Sequence, residues 1–180
     1  MKMMSSRIRM LSRTALLCAL LCVLSVITLP ICAVPVTLGT LGVFLCGLLL
    51  PPKSACAAVL GYLLLGAVGL PVFSSMQGGI GILAGITGGY LWGYLPTAAI
   101  LSVLRVFLSR RMKNHRILSA ICAAIPALLL CYLCGTVQFL CLTDSTIPAA
   151  LAVCVLPFLP FDLLKLACAV TLSARFRRHL

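Results

Sequence analysis

Only two acidic side chains, Asp144 and Asp162, occur among the 180 residues, and only Asp162 falls inside an apolar run. Lys165 follows three residues later, which places carboxylate and ammonium on one face of a helix. An ionisable group near a bilayer interior costs at least about 2.5 to 3.5 kcal/mol on insertion scales, so such a pair faces protein or a cavity. The pair suits two roles. It can neutralise itself at a helix contact, or it can form a ligand site. In the second role Lys165 offers a cation to a carboxylate, while Asp162 either orients that lysine or accepts from ligand N–H groups. Pro157 and Pro160 precede the pair in the same segment. Prolines there remove backbone donors and break the helix, exposing polar backbone that a substrate could use, and this favours the ligand site.

A second cluster is conformational. Gly78, Gly79, Gly81, Gly85, Gly88 and Gly89 fall close together, allowing unusual backbone angles and close approach. They suit a loop and helix start that fold over a ligand, or helix packing through small residues. Their bunching at one membrane face favours the ligand-covering loop. Ala15 and Ala19 form a small-xxx-small pair on which another helix could approach.

Enzyme chemistry lacks its components. Cys131 and Cys134 have metal-pair spacing but no partner, because His115 and His179 both sit in basic hydrophilic segments. Most of the eleven cysteines lie inside apolar runs, where a free thiol is a small buried hydrophobe. There is no phosphate-cradling GxxxxGK[ST] loop, no embedded nucleophile with a base, and no carboxylate cluster for metal-assisted phosphotransfer. We expect no enzyme, no metal and no cofactor; active transport would draw its energy from a partner or a gradient.

The elements that must position these groups are transmembrane helices. Apolar residues make up 63% of the chain and charged ones 9%, more hydrophobic surface than one soluble core of this size can hide. The net charge of +12 is not spread as in a nucleic-acid-binding protein. It is concentrated in an N-terminal segment, 1–13, a connection at 109–116 and a tail at 175–180. A crossing takes roughly 20 helical residues. Dividing the sequence at its Pro, Gly and charge interruptions gives six segments, Leu11 to Leu29, Val36 to Leu50, Ser54 to Leu70, Ile82 to Leu108, Ile117 to Leu140 and Ile147 to Leu172. The second is short enough to be tilted or partly re-entrant. The start of the chain has the outline of a signal peptide, with Ile31-Cys32-Ala33 as a cleavage site, but the rest is equally apolar and a first membrane helix is the simpler reading. With the N-terminus inside, six crossings put every basic cluster and Lys53 in the cytoplasm, and Asp144, the Pro30 to Pro35 connection and the Pro71 to Gly81 stretch outside. We expect one all-α membrane domain over 1–180, with a Gly-rich loop at 71–89.

Four motifs in order carry a family resemblance: Val34-Pro35-Val36-Thr37-Leu38, then Tyr62-Leu63-Leu64-Leu65-Gly66-Ala67-Val68-Gly69-Leu70-Pro71-Val72-Phe73, then Thr87-Gly88-Gly89-Tyr90-Leu91, then Asp162-Leu163-Leu164-Lys165. The series resembles the BioY family, biotin-binding S components of energy-coupling factor transporters. That resemblance implies a six-helix S-component bundle in the bacterial plasma (inner) membrane that binds biotin from outside without converting it. It also implies inward delivery with the transmembrane coupling protein EcfT and the ATPase subunits of an energy-coupling module, with Ala15 and Ala19 on the coupling face. Ligand contacts are implied at Asp162, Lys165 and Thr37, and at Gln77, Gly78, Gly79, Thr87, Gly88, Gly89 and Tyr90 in a closing loop. Gly39 stands where the family pattern has Gln, Ile86 where it has Pro, and Phe161 where it has Gly. These departures touch the implied pocket and leave room for another small carboxylate-bearing vitamin or precursor, such as a dethiobiotin-like acid. An assembly partner without a ligand remains the non-transporting reading.

Overall fold

A computed structural model describes residues 2–29, 35–112 and 115–176. The expected connection at 30–34, the cleavage-like Ile31-Cys32-Ala33, Lys113 and the tail from Arg177 lie outside the described residues. Helix α1 runs Lys2–Val26 and leads into a two-residue strand, β1 (Thr28–Leu29), which pairs antiparallel with β2 (Val36–Thr37). Then come α2 (Gly39–Leu49), α3 (Pro52–Ala67), a 3-10 turn at Ser74–Met76, α4 (Ile80–Ala84), α5 (Gly88–Arg111), α6 (Arg116–Leu142), α7 (Ile147–Cys154) and α8 (Leu159–Phe176).

Breaks in the helices follow local chemistry. Leu50 and Pro51 are extended and Pro52 opens α3, so two adjacent prolines separate α2 from α3. Helix α3 closes through Gly69, whose φ of +108° lets its N–H reach the Gly66 carbonyl at 3.1 Å while Leu70 N–H reaches Leu65 at 3.2 Å. Gly79, at φ +102°, then returns to the same end of α3 by donating to the Gly66 carbonyl at 2.7 Å. Residues 70–79 are thereby folded onto the α3 terminus.

Four of the expected segments are interrupted or shifted; the second starts as strand β2 and is helical only from Gly39. The fourth is two helices, α4 and α5, with Gly85 extended between them, because the chain doubles back so tightly that a Cβ on Gly88 would stand 2.0 Å from the Leu83 carbonyl oxygen. The sixth divides into α7 and α8 with a 45° bend, where Pro157 interrupts the ladder and Pro160 takes the first turn of α8. The first is helical from Lys2 and stops at Val26, its last residues entering the β1–β2 pair.

By length and composition α1, α5 and α6 can each cross a membrane, and the bent α7–α8 pair makes a fourth such unit. Helices α2 and α3, with 11 and 16 residues, are shorter. At 1.5 Å per residue they reach about 16 and 24 Å, less than the roughly 30 Å hydrocarbon core. Large apolar side chains cover the outside: Leu16 is 70% exposed, Leu129 60% and Leu164 65%. Water would not tolerate so continuous an apolar exterior, and lipid supplies its solvent.

Helices α5 and α6 form the tightest seam. Gly89 and Gly93, one turn apart on α5, lie against Cys131, Cys134 and Gly135 of α6, and a Cβ on Gly89 would fall 2.5 Å from the Cys134 carbonyl oxygen. Around it the core is filled by Tyr62, Phe44 and Phe73. At the other end of α2, buried Arg105 of α5 donates to the Leu48 carbonyl and meets the negative end of that helix. Because the Gly89 clash is with backbone, Gly89→Ala is expected to destabilise the fold by about 1 to 3 kcal/mol. Thermal unfolding in detergent measures this, and an unchanged transition would mean that the seam is looser than described.

Candidate functional site

Asp162 is in the first turn of α8, just after the bend, and Lys165 is one turn further along. Both are buried, at 1% and 6% exposure, and Lys165 Nζ lies 2.7 Å from Asp162 Oδ1. Two other helices complete the network. Thr40, near the start of α2, donates to Asp162 Oδ1 at 2.8 Å and accepts from Lys165 Nζ at 3.1 Å. Tyr132 of α6 donates its hydroxyl to Asp162 Oδ2 at 2.8 Å. The carboxylate thus receives three hydrogen bonds, and the positive end of the α8 dipole adds to its stabilisation.

The network stays incomplete in a useful way. An ammonium has three protons, and among the described residues two are used; Asp162 Oδ2 accepts a single bond there and keeps one lone-pair site. A free donor and a free acceptor therefore stand side by side on a pair whose net charge is zero. That is the complement of a neutral group carrying both C=O and N–H. It is a poorer complement for an isolated anion, because the lysine charge is already matched.

These groups open on a cavity of about 50 Å³ between the helices. This volume holds a few waters, and a larger occupant must displace part of the wall. Ser25 of α1, Thr37 of β2 and Thr40 contribute hydroxyls, Phe73 and Phe158 contribute rings, and Ile82 and Thr87 close one side. All four tyrosines of the chain, Tyr62, Tyr90, Tyr94 and Tyr132, line it. Tyr90 stacks on Phe158 at 5.7 Å and donates to the Cys154 carbonyl at 2.6 Å, capping α7 where it breaks.

Of the residues expected at the site, Asp162, Lys165, Thr37, Thr87 and Tyr90 come together in this cavity. Gln77, Gly78, Gly79, Gly88 and Gly89 are not part of its lining. Gln77 is exposed and its carbonyl accepts from Phe73 N–H at 2.9 Å. Gly78 packs against the Leu70 carbonyl, while Gly88 and Gly89 lie against Gln138 of α6, the tight packing that a side chain would prevent. Ala15 and Ala19 are exposed on α1, away from the cavity. Among the three departures from the family pattern, Gly39 adjoins cavity hydroxyls; Ile86 is 46% exposed and Phe161 half-buried, neither in the lining.

Sequence reasoning missed Thr40, Tyr132, Tyr62, Tyr94 and Ser25. The available signal was the tyrosines: a phenol in an apolar helix needs somewhere to put its hydroxyl, and four of them imply a shared polar interior. It also missed Gln138, whose Nε2 donates to the carbonyls of Leu83 at 3.0 Å and Gly85 at 2.7 Å. Trp92 Nε1 donates to the same Leu83 carbonyl at 3.1 Å. These bonds tie the C-terminal end of the five-residue α4, which carries Ile82, to α5 and α6.

The ten cysteines among the described residues are free thiols, and no cluster of three or more potential metal ligands occurs among those residues.

Comparison with known proteins places these features in a family context. The family model described as the BioY family matches residues 1–180. The "Biotin transporter BioY" of Thermotoga maritima is 34% identical over 170 residues, covering 94% of this chain and 96% of its own length. The "Probable biotin transporter BioY" of Pyrococcus horikoshii is 35% identical over 166 residues, covering 92% and 94%. A crystal structure of the S-component for biotin from an ECF-type ABC transporter superposes with a TM-score of 0.89 at 22% identity, covering 97% of this chain and 93% of that one. The two chains share a fold.

Two measurements probe the geometry. Removing one member of the buried pair strands the other, so Asp162→Leu is expected to cost about 3 to 5 kcal/mol, whereas Asp162→Leu with Lys165→Leu costs far less. Thermal unfolding of both variants would show this, and equal losses would mean that the charges are not buried together. Gln138→Leu removes two bonds from α4, so ligand association and dissociation should both accelerate severalfold in stopped-flow binding, with a smaller change in Kd; unchanged rates would mean that α4 is not the wall that moves.

Proposed function

Because the chain belongs to the BioY family, we propose that it is the biotin-specific membrane subunit of a vitamin-uptake transporter, a binding protein and not an enzyme. The observation that carries this reading is the buried Asp162–Lys165 pair, held by Thr40 and Tyr132 against an aromatic-walled cavity. Biotin combines a neutral ureido bicycle with a carboxylate tail. The unused donor on Lys165 and the unused acceptor on Asp162 match the ureido C=O and N–H, and Phe73 and Phe158 offer apolar surface for the fused ring. Thr37, Thr87 and Tyr90 complete the walls, while Gln77, Gly78, Gly79, Gly88 and Gly89 act indirectly by shaping the covering segment.

The membrane arrangement follows from length and charge. Six crossings, with the short α2 and α3 tilted or sitting where the bilayer thins, leave both termini and the 109–116 connection in the cytoplasm of a bacterial inner membrane. The ligand then enters from the outer side, near the β1–β2 pair and the 70–87 segment. Ala15 and Ala19 present a flat surface on α1 to the coupling protein EcfT, which ATPase subunits drive. The chain itself has no phosphate-binding loop, so that partner supplies the energy.

Equilibrium binding of labelled biotin to the protein in detergent tests the assignment. Saturable binding is expected, reduced at least tenfold by Asp162→Asn or Lys165→Ala and not displaced by riboflavin or thiamine. A folded, monodisperse protein that binds no biotin would overturn it.

A further inference from the structure

Helix α1 carries positive charge that nothing else in the chain balances. Arg9 is exposed and Arg13 half-buried, one turn further along. The chain has two carboxylates; Asp162 is paired with Lys165, and Asp144 follows the C-terminus of α6. Among the described residues neither arginine forms an ion pair. The hydroxyls nearest in sequence are already used, since Ser12 donates to the Ile8 carbonyl at 3.0 Å and Thr14 to that of Met10 at 2.9 Å. A counter-anion has to come from outside the chain. Both arginines also stand within the first two turns of Arg7–Val26, the stretch of α1 long and apolar enough to cross a membrane. A guanidinium at that depth snorkels to the headgroups or draws an anion towards it.

What lies above the arginines identifies the anion. At 100° per residue, positions 9, 13, 16 and 20 fall within about 60° of the helix circumference, so Leu16 and Leu20 continue the line of Arg9 and Arg13 into the bilayer. This stripe faces outward. Helix α1 packs inward through Leu21 against Gly42 of α2 and Cys18 against Gly61 of α3, while Leu16 is 70% exposed and Leu20 38%. The Ala15 and Ala19 face lies roughly 110° away around the helix. Close approach of another helix suits that small-residue face, and the bulky leucines suit a fluid acyl chain.

We propose that Arg9, Arg13, Leu16 and Leu20 form a binding site for one anionic phospholipid of the leaflet that the N-terminal end of α1 meets. Arg9 and Arg13, about 6 Å apart along the helix axis, hold the phosphate between them through charge-assisted hydrogen bonds. An acyl chain of the same lipid runs along Leu16 and Leu20. The helix thus presents separate faces to the bundle, to small-residue packing and to a lipid.

Native mass spectrometry of the full-length protein, released from micelles holding equal amounts of phosphatidylglycerol and phosphatidylcholine with matched chains, tests the site. Wild type should retain phosphatidylglycerol over phosphatidylcholine by at least about tenfold, the order expected for two arginines at an anionic headgroup. Arg9→Gln/Arg13→Gln should abolish that preference. Arg110→Gln/Arg111→Gln removes the same charge from the exposed end of α5 and should change it by less than about twofold. Leu16→Ala/Leu20→Ala, with every charge in place, should lower phosphatidylglycerol retention about threefold through lost apolar contact. Equal losses in the two arginine double variants overturn the site in favour of diffuse attraction to the whole basic chain. A leucine variant that retains phosphatidylglycerol as wild type does overturns the stripe. A wild type without a preference overturns the lipid altogether and assigns the arginines to an acidic protein surface.

Discussion

An ion pair buried in an apolar bundle is the constraint around which this molecule is arranged. Neither charge can stay in a membrane interior without partners, and their mutual attraction does not by itself repay the desolvation of two ions. The remaining stabilisation has to come from hydrogen bonds brought in by other elements. Thr40 arrives on α2, Tyr132 on α6, and the dipole of α8 begins one turn before Asp162. The partners stand 122 and 30 residues from the carboxylate in sequence, so the site forms only when three helices have assembled. Helix assembly and site assembly are the same event.

That requirement explains features that look like defects in isolated helices. The bend between α7 and α8 frees backbone carbonyls, and Tyr90 satisfies one of them at Cys154. Tyr90 reaches it because α5 sits unusually close to α6 through Gly89, Gly93 and Gly135; a Cβ on Gly135 would lie 2.4 Å from the Tyr90 ring. The same close seam brings Gln138 within reach of the Leu83 and Gly85 carbonyls. Small residues at the helix contact thus place both the phenols that line the cavity and the amide that fastens its cover.

The parts of this design that were legible in the sequence are those that composition alone makes conspicuous. One acid in an apolar segment, with a lysine on the same helical face, is rare enough to identify Asp162 and Lys165 without any tertiary information. The apolar segments and their Pro and Gly interruptions likewise gave the helix order. Thr40 and Tyr132 were not legible, because a threonine or tyrosine in an apolar run looks the same whether it bonds a carboxylate on another helix or its own backbone. The glycine cluster suits ligand cover and helix packing alike, since backbone freedom is equally useful in a loop and in a tight contact. Only the position of Gln138 and the Cys134 carbonyl shows that Gly88 and Gly89 serve packing. Similarly, the doubling back at Gly85 that separates α4 from α5 depends on a tertiary contact that hydrophobic periodicity does not carry.

The self-neutralised pair also bears on what a transport subunit must do. A lone buried lysine would hold a carboxylate strongly, but once the ligand left it would be an uncompensated cation in an apolar surround, and the empty bundle would be strained or would admit water. Pairing Lys165 with Asp162 removes that penalty, because the two charges and Thr40 and Tyr132 satisfy one another whether or not a ligand is present. A ligand seated against the pair would then gain only the unused proton and lone pair, a modest interaction. Tighter discrimination would have to come from the rest of the cavity, from its aromatic walls and hydroxyls. Separating the pair that stabilises the empty bundle from the walls that an occupant would fill lets one cavity be stable without a ligand and still open to one.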